Sequence, residues 1–362
     1  RLIENARVFV KKQEDVHHKL GMECIDCHHS YELMGDGKHY AHEEDQQDVQ
    51  CVDCHFYGEP KMITADKLDN ESAIIAALRF GSIENKKFLV TGKHNHALVN
   101  TSVESDSVYL ITKNSKKRMG MKPPVEVCTR NEAHKNVTCS ACHSSWSPSC
   151  IGCHNTYDPI EPGYDMIQNK KIRGSWVEYI GTYTAKLPAL GIRASEHGEE
   201  VIPVSPGMVL TIDKKSYTKN ENDSLIFHRL FAPVAPHTTA AKGRSCVSCH
   251  NNPVALGYGE GELTYTIDKG KGKWKFVPVY ENDKHDNLSA DAWIGFLKKR
   301  AGVVSTRKNV FPFNVEMQQK ILMVGACLTC HEEDSRVMKA SLNNFEGLVQ
   351  KRSNKCVIPV WN

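Results

Sequence analysis

The chain has 362 residues and balances 46 Lys and Arg against 43 Asp and Glu, a formal net charge of +3 with neutral histidines. This balance gives no indication of a nucleic-acid or anionic-membrane partner, and the longest strongly apolar run, 321–328, is much shorter than the roughly 20 residues of a membrane-spanning helix. Hydrophobic residues make up only 40% of the chain, whereas it contains 14 cysteines and 18 histidines.

The N-terminal segment, residues 1–60, contains the pattern Cys-x-x-Cys-His twice. The two copies are Cys24, Cys27 and His28, and Cys51, Cys54 and His55. The cysteines of one copy lie about one turn apart on a helix, so both thiols can form thioether bonds to the two vinyl groups of one porphyrin. The adjoining histidine can then bind the iron as its proximal ligand. We therefore predict an N-terminal dihaem module.

Residues 61–127 lack the pattern and are expected to form a segment with one helix and β structure. The apolar run behind Asn70, followed by Gly81, predicts a helix over 70–80. Strands are predicted at 87–91 and 107–112.

Residues 128–158 contain two further copies, separated only by residues 144–149. They are Cys139, Cys142 and His143, and Cys150, Cys153 and His154. So short a connection predicts a tight dihaem module with its two porphyrins nearly in contact. The next segment, 159–245, is rich in Pro, Gly and β-branched residues. We expect it to be a loop-rich, partly β insertion that packs over haem faces rather than forming a substrate pocket.

The C-terminal segment, 246–362, contains the fifth and sixth copies, Cys246, Cys249 and His250, and Cys327, Cys330 and His331. The Lys- and Gly-rich turn at 268–273 predicts a hairpin of strands 263–267 and 273–280. Helices are predicted at 289–300 and 314–324, the second ending at Gly325 and leading into the sixth copy.

Six complete copies predict six covalently bound haem c groups. The alternative for some copies is a zinc site, because Cys-x-x-Cys is also half of a zinc-binding pattern. A zinc site does not require histidine directly after the second cysteine, and all six copies have it. Since covalent haem attachment takes place outside the cytoplasmic membrane, we expect an extracytoplasmic protein, periplasmic or extracellular. Arg1 opens a polar stretch without a recognisable leader, which favours a mature or trimmed chain.

Twelve further histidines are available as second axial ligands of the irons. Short spacings upstream of a motif favour His17, His18, His42, His134 and His237, each over the nearby haem or its neighbour. Further candidates are His29, His94 and His96, while His39, His197, His228 and His285 are less favoured. Methionine is a less favoured distal ligand. A second histidine gives six-coordinate iron suited to electron transfer, whereas an open position permits substrate binding.

Cys128 and Cys356 are the cysteines outside the motifs. In an oxidising compartment they are expected to form a disulfide. The alternative is two unrelated buried thiols, because sequence does not give the geometry that a disulfide requires.

Residues 15–55, 139–158 and 235–261 resemble segments of the large multihaem cytochromes c of metal-reducing and other anaerobic microbes. The resemblance covers all six motifs and leaves much of 60–125 and 160–230 uncovered. It implies bis-histidine haems in a continuous chain, with His17, His42, His134 and His237 at positions where the family carries an upstream histidine. His29 stands where that family often has threonine. The implied fold is a multihaem cytochrome c with little regular secondary structure, in which short helices and small β-hairpins wrap a haem chain.

These observations predict an electron carrier or conduit and not an enzyme. Its partners would be redox proteins or extracellular electron acceptors. The number and density of haems also resemble those of extracellular cytochrome nanowires, so a homopolymeric conductive filament is a further hypothesis. The alternative is a multihaem oxidoreductase that acts on a small nitrogen or sulfur compound at one haem with an open position.

Overall fold

The fold is described from a computed structural model, which covers residues 2–4, 7–9, 11–104, 107–124, 132–196, 198–300 and 305–361. The chain divides into two compact units. The N-terminal unit contains residues 14–128, and the C-terminal unit contains residues 1–13 and 129–362. Within the ranges described, no helix has both the length and the apolar character that crossing a membrane requires. The five segments predicted from the motif spacing, 1–60, 61–127, 128–158, 159–245 and 246–362, stay predictions.

The chain begins with an antiparallel pair of short strands that belongs to the C-terminal unit, β1 (Leu2–Glu4) and β2 (Arg7–Phe9). The N-terminal unit then opens with short helices, most of them a single turn. These are α1 (Val16–Lys19), α2 (Cys24–Cys27), α3 (Ser30–Leu33), α4 (Glu43–Gln46) and α5 (Cys51–Cys54).

Two small antiparallel sheets and one longer helix complete the N-terminal unit. The elements are β3 (Met62–Thr64), a 3₁₀ turn (Ala65–Lys67), α6 (Asn70–Phe80), β4 (Lys87–Val90), β5 (Ala97–Leu98), β6 (Thr101–Glu104), β7 (Ser107–Ile111) and β8 (Arg118–Gly120). The strand orders are β3-β4-β5 and β6-β7-β8.

The predicted helix at 70–80 and the predicted strands near 87 and 107 are confirmed. The side chain of Asp69 caps α6 by accepting a hydrogen bond from Ser72 N at 2.8 Å. Gly81 ends the helix with a φ of 71°, a conformation that glycine adopts without steric cost. Ala76 of α6 and Phe88 of β4 are completely buried, so this pair of elements contributes to the core of the unit.

The C-terminal unit is built on a six-stranded sheet with the order β10-β9-β12-β11-β16, in which β13 pairs with β12. Its elements are α7 (Cys139–His143), β9 (Ser147–Asp165), β10 (Lys170–Lys186), β11 (Ala189–Ser195), β12 (Gly198–Asp213), α8 (Lys215–Thr218), β13 (Leu225–Pro233), α9 (Cys246–His250), β14 (Gly261–Asp268), β15 (Lys271–Pro278), β16 (Val310–Phe311), α10 (Val315–Leu328) and α11 (Arg336–Gln350).

Residues 159–245 contain much more strand than the loop-rich insertion that the sequence predicted. Long runs of β-branched and aromatic residues favour extended backbone, and β9 pairs antiparallel with β10 from Ser147–Lys186 to Asp165–Lys170. Asn169 turns the hairpin with a φ of 50°, a value that asparagine tolerates better than most residues. β9 also carries the whole fourth motif, which therefore lies in a strand.

The predicted helix at 289–300 is wrong, because this segment consists of turns and bends. Several of its carbonyl groups accept hydrogen bonds from the buried guanidinium of Arg229, and Ser289 O also accepts one from Ala292 N at 2.9 Å. Arg229 Nη1 donates to Ser289 O at 2.7 Å and to Ala292 O at 2.9 Å. The consecutive apolar residues at 292–294 are all buried, and Trp293 stacks on Phe231 with ring centroids 4.3 Å apart.

The predicted hairpin and the second predicted helix of the C-terminal segment are confirmed as β14–β15 and α10. Asn314 caps α10 by accepting a hydrogen bond from Met317 N at 2.9 Å. The helix does not end at Gly325 as predicted but continues to Leu328. A side chain at 325 would meet His250 O at 2.7 Å, so this glycine allows α10 to approach α9 closely.

Candidate haem and metal sites

Five of the six motifs place their two cysteines on a helical turn, with the histidine at its end. The motif histidine donates its backbone N–H to the carbonyl of the first cysteine in the first, second and sixth copies, from His28, His55 and His331 at 2.8, 2.8 and 2.9 Å. The third and fifth copies form α7 and α9. This local geometry matches the one that thioether attachment and iron ligation require.

Polar residues before and inside the motifs explain why such short helices form. Asp26 and Asp53 accept hydrogen bonds from the N–H groups of the residues preceding α2 and α5, Glu23 and Gln50, both at 2.8 Å. These reciprocal capping boxes satisfy N–H groups that a helix start leaves without partners. At α7 and α9 the side chains of Thr138 and Ser245 act as the caps, by accepting hydrogen bonds from Ala141 N and Ser248 N.

Four of the motif histidines are held by acceptors at Nδ1. His55 Nδ1 lies 2.7 Å from Lys122 O, His143 Nδ1 lies 2.9 Å from Ala240 O, and His250 Nδ1 lies 3.0 Å from Ile321 O. A carbonyl oxygen only accepts, so Nδ1 must carry the proton and the lone pair is on Nε2. In the first copy a carboxylate has the same role, since His28 Nδ1 lies 2.8 Å from Glu32 Oε2. This is the tautomer and orientation of a histidine that binds iron through Nε2.

Two of the candidate distal histidines lie against motif histidines from other parts of the chain. The His17 and His55 ring centroids are 6.0 Å apart, and those of His134 and His250 are 6.3 Å apart. A metal–nitrogen bond is about 2 Å long and an imidazole centroid lies about 1 Å beyond its ligating nitrogen, so two histidines on opposite sides of one iron have centroids roughly 6 Å apart. Both pairs fit that spacing. His17 therefore lies beside the histidine of the second motif and His134 beside that of the fifth, whereas each directly precedes a different motif in sequence.

Burial around these residues favours the neutral imidazole that a metal requires. Burial lowers the pKa of His250 to about 4, and it also lowers the pKa of His134. Burial raises the pKa of the Cys27 thiol to about 11 and that of Cys54 to about 12.

The fourth motif does not fit haem attachment in this structure. Residues three apart in a strand face opposite sides of the sheet, so Cys150 and Cys153 do not present their thiols to one ring. Cys153 instead lies 2.7 Å from Glu178 Oε1, and burial, reinforced by Glu178, raises its pKa to about 11. His154 Nδ1 contacts Thr211 Oγ1.

Three other candidates surround one carboxylate, that of Asp48, which is 2% exposed. Asp48 Oδ2 lies 2.9 Å from His29 Nε2 and 2.8 Å from His96 Nδ1, while Asp48 Oδ1 lies 3.1 Å from His94 Nδ1. Sequence reasoning considered His29 separately from the pair His94 and His96, and it missed Asp48, which stands in a polar, acidic run. The alternating histidines at 94 and 96 were the sequence signal that a shared partner existed.

Searches of family models, curated proteins and solved structures found no match to this chain.

The remaining candidate residues stay sequence predictions. His18 is exposed and lies 3.5 Å from Glu14 Oε1, His42 is half-buried and His237 is exposed. Of the less favoured histidines, His39 and His228 are exposed and His285 stacks on Phe227, while His197 lies outside the described residues. Cys128 also lies outside them, and the predicted disulfide with it; Cys356 is half-buried.

Proposed function

We propose that the chain is an extracytoplasmic electron-transfer protein that binds haem c covalently at its Cys-x-x-Cys-His motifs. The observation that carries the proposal is the pairing of His134 with His250 and of His17 with His55. In each pair a motif histidine has its Nδ1 bonded to a backbone carbonyl and a second imidazole at the spacing of an opposite axial ligand. When bound, haem iron supplies reversible one-electron chemistry.

The protein's own contribution is to fix the axial ligands. Ile321 O and Lys122 O hold the rings of His250 and His55 by their Nδ1–H groups, which orients Nε2. The ring of His17, the proposed distal ligand opposite His55, is held as well, because its Nδ1 lies 3.2 Å from Asp15 Oδ1. Two histidines per iron favour electron transfer over substrate binding, which supports a carrier or conduit rather than an enzyme.

The proposal retains six haems because all six motifs are complete in sequence. Attachment at the fourth would require residues 150–154 to leave their pairing with β10 and β12. The proposal also retains redox proteins or extracellular electron acceptors as partners. Assembly into a filament is part of it because β10 is a long edge strand that exposes large side chains, among them Tyr179 and Tyr183.

Electron paramagnetic resonance of the oxidised holoprotein tests the ligand pairs. We expect low-spin haem in the wild type and the conversion of one haem to high spin in His134→Ala and, separately, in His17→Ala. His228→Ala is the matched control, because His228 is exposed and stands outside both pairs. Unchanged low-spin spectra in both variants would contradict the pairing. A stoichiometric high-spin haem that binds nitrite or sulfite in the wild type would favour the oxidoreductase alternative.

A further inference from the structure

We propose that Asp48, His29 and His96 bind a divalent transition-metal ion, in addition to the haem irons. Their ligand atoms lie within 4.8 Å of one another, one from each side chain. Both imidazoles already direct a ring nitrogen at the same oxygen, Asp48 Oδ2. An ion placed between these atoms would take the lone pairs of Asp48 Oδ2, His29 Nε2 and His96 Nδ1, and the proton of each neutral imidazole would then lie on its other ring nitrogen.

The carboxylate is fixed before any ion arrives. Asp48 N donates a hydrogen bond to Glu32 Oε1 at 2.5 Å, and the second oxygen of Asp48 contacts His94 Nδ1. Burial alone would raise the pKa of Asp48, but hydrogen bonds from His96 and Thr91 hold this pKa below its ordinary value. A buried, ionised carboxylate with several donors is a preorganised ligand rather than a flexible surface group.

The two histidines are also held in place. Tyr31 stacks on His96 with ring centroids 4.2 Å apart and an interplanar angle of 13°. Lys93 lies between the histidine-bearing loop and the segment that contains Asp48, where its Nζ donates to Glu44 O at 3.1 Å and to Gln47 O at 2.9 Å. The two halves of the site therefore keep their spacing.

One buried atom of the cluster has no hydrogen-bond partner among the described residues, His29 Nδ1. Burial lowers the pKa of His29 although Asp48 is adjacent, so a neutral ring is favoured. A buried polar atom without a partner destabilises the fold. With a metal at Nε2, the proton of the neutral ring would lie on this Nδ1.

The ligand set indicates the class of ion. Two imidazoles and one carboxylate suit zinc, copper, nickel or ferrous iron, whereas calcium and magnesium prefer oxygen ligands throughout. Three protein ligands leave a position open for water, and the site borders a cleft lined by Tyr31, Tyr40, Gln46 and His94. The open position would face this cleft.

Zinc is the probe, because its X-ray absorption edge is distinct from that of haem iron. The haem-loaded protein is equilibrated with Zn²⁺, dialysed, and analysed for zinc content and for zinc-edge fine structure. We expect one zinc per chain with imidazole scattering, and an affinity lower by about 100-fold or more in Asp48→Asn and in His96→Gln. His228→Gln is the control and should bind zinc as the wild type does.

The outcomes separate this proposal from that of electron transfer. Failure of the wild type to retain zinc, or equal retention by Asp48→Asn and the wild type, would overturn the metal site. High-spin haem in His96→Gln or His29→Gln would show instead that the histidine is an axial haem ligand. That result also overturns the metal site and leaves the electron-transfer proposal intact. Asp48→Asn keeps the size of the side chain, and its visible spectrum reports whether the haem-loaded fold is preserved.

Discussion

Replacing Arg229 with methionine should strongly destabilise the C-terminal unit. Arg229 is 1% exposed, and its guanidinium holds Asp286 by two bonds, Nε–Oδ2 at 2.7 Å and Nη2–Oδ1 at 2.8 Å. The same group donates to four backbone carbonyls, those of residues 288, 289, 290 and 292, at 2.7–3.2 Å. Methionine fills much of the volume but donates nothing.

The magnitude follows from which groups lose their partners. Asp286 is 24% exposed and can recover part of its hydration, so leaving its charge without a partner costs less free energy than it would for a fully buried carboxylate. Ser289 O keeps its bond from Ala292 N, whereas the buried carbonyl of Ala292 recovers little, and each lost bond to Arg229 costs about 1 kcal/mol. Together with the broken ion pair, the free energy of unfolding should fall by about 4 kcal/mol, within the range for breaking a buried pair.

Urea denaturation followed by tryptophan fluorescence measures this loss, because Trp293 lies in the segment that Arg229 holds. Arg193→Met is the matched control, since Arg193 forms a surface pair with Glu200 at 2.8 Å and is 30% exposed. Such pairs contribute at most about 1 kcal/mol. If the Arg229 variant lost no more stability than the Arg193 variant, the account of the 288–292 segment would be refuted.

Three further results are expected. Gly191→Ala should lower the free energy of unfolding by about 1–3 kcal/mol, because its new Cβ would lie 2.5 Å from Trp293 Cζ3; an unchanged denaturation midpoint would contradict this. The intact mass of the wild type should exceed that of its polypeptide by six haem equivalents, and that of the variant with both Cys150→Ser and Cys153→Ser by five. If the wild type and this variant carried the same number of haems, the fourth motif would bind none and would stay a strand. Light scattering and negative-stain microscopy should show filaments, and a homogeneous monomer at high concentration would contradict assembly.

Local structure around the motifs could be predicted from sequence because its causes are local. Two cysteines and a histidine within five positions form a helical turn in five of the six motifs, whereas the fourth motif, preceded by Ser149, lies in β9. The predicted α6 ends at Gly81 as expected. The hairpin β14–β15 follows from alternation on both sides of a glycine-rich turn. In each case the deciding residues are neighbours along the chain.

The failures arose where partners come from distant segments. The helix expected at 289–300 is replaced by turns because Arg229, far away in sequence, takes its carbonyls. Upstream spacing indicated only the nearby haem or its neighbour for each histidine, and it did not single out His250, against which His134 lies. Asp48 was missed for the same reason, since its three histidines lie on two different segments.

Glu32 connects two of the features described above. One oxygen of its buried carboxylate contacts His28 Nδ1, and the other accepts from the backbone N–H of Asp48. A positive ion at Asp48 would draw charge away from this carboxylate and weaken its pull on the His28 proton. The ferrous state of an iron bound to His28 would then be favoured. Thermodynamic linkage makes the effect mutual. The oxidation state of an iron bound to His28 would change the affinity of the Asp48 site for its ion, and binding of that ion would change the reduction potential of the iron.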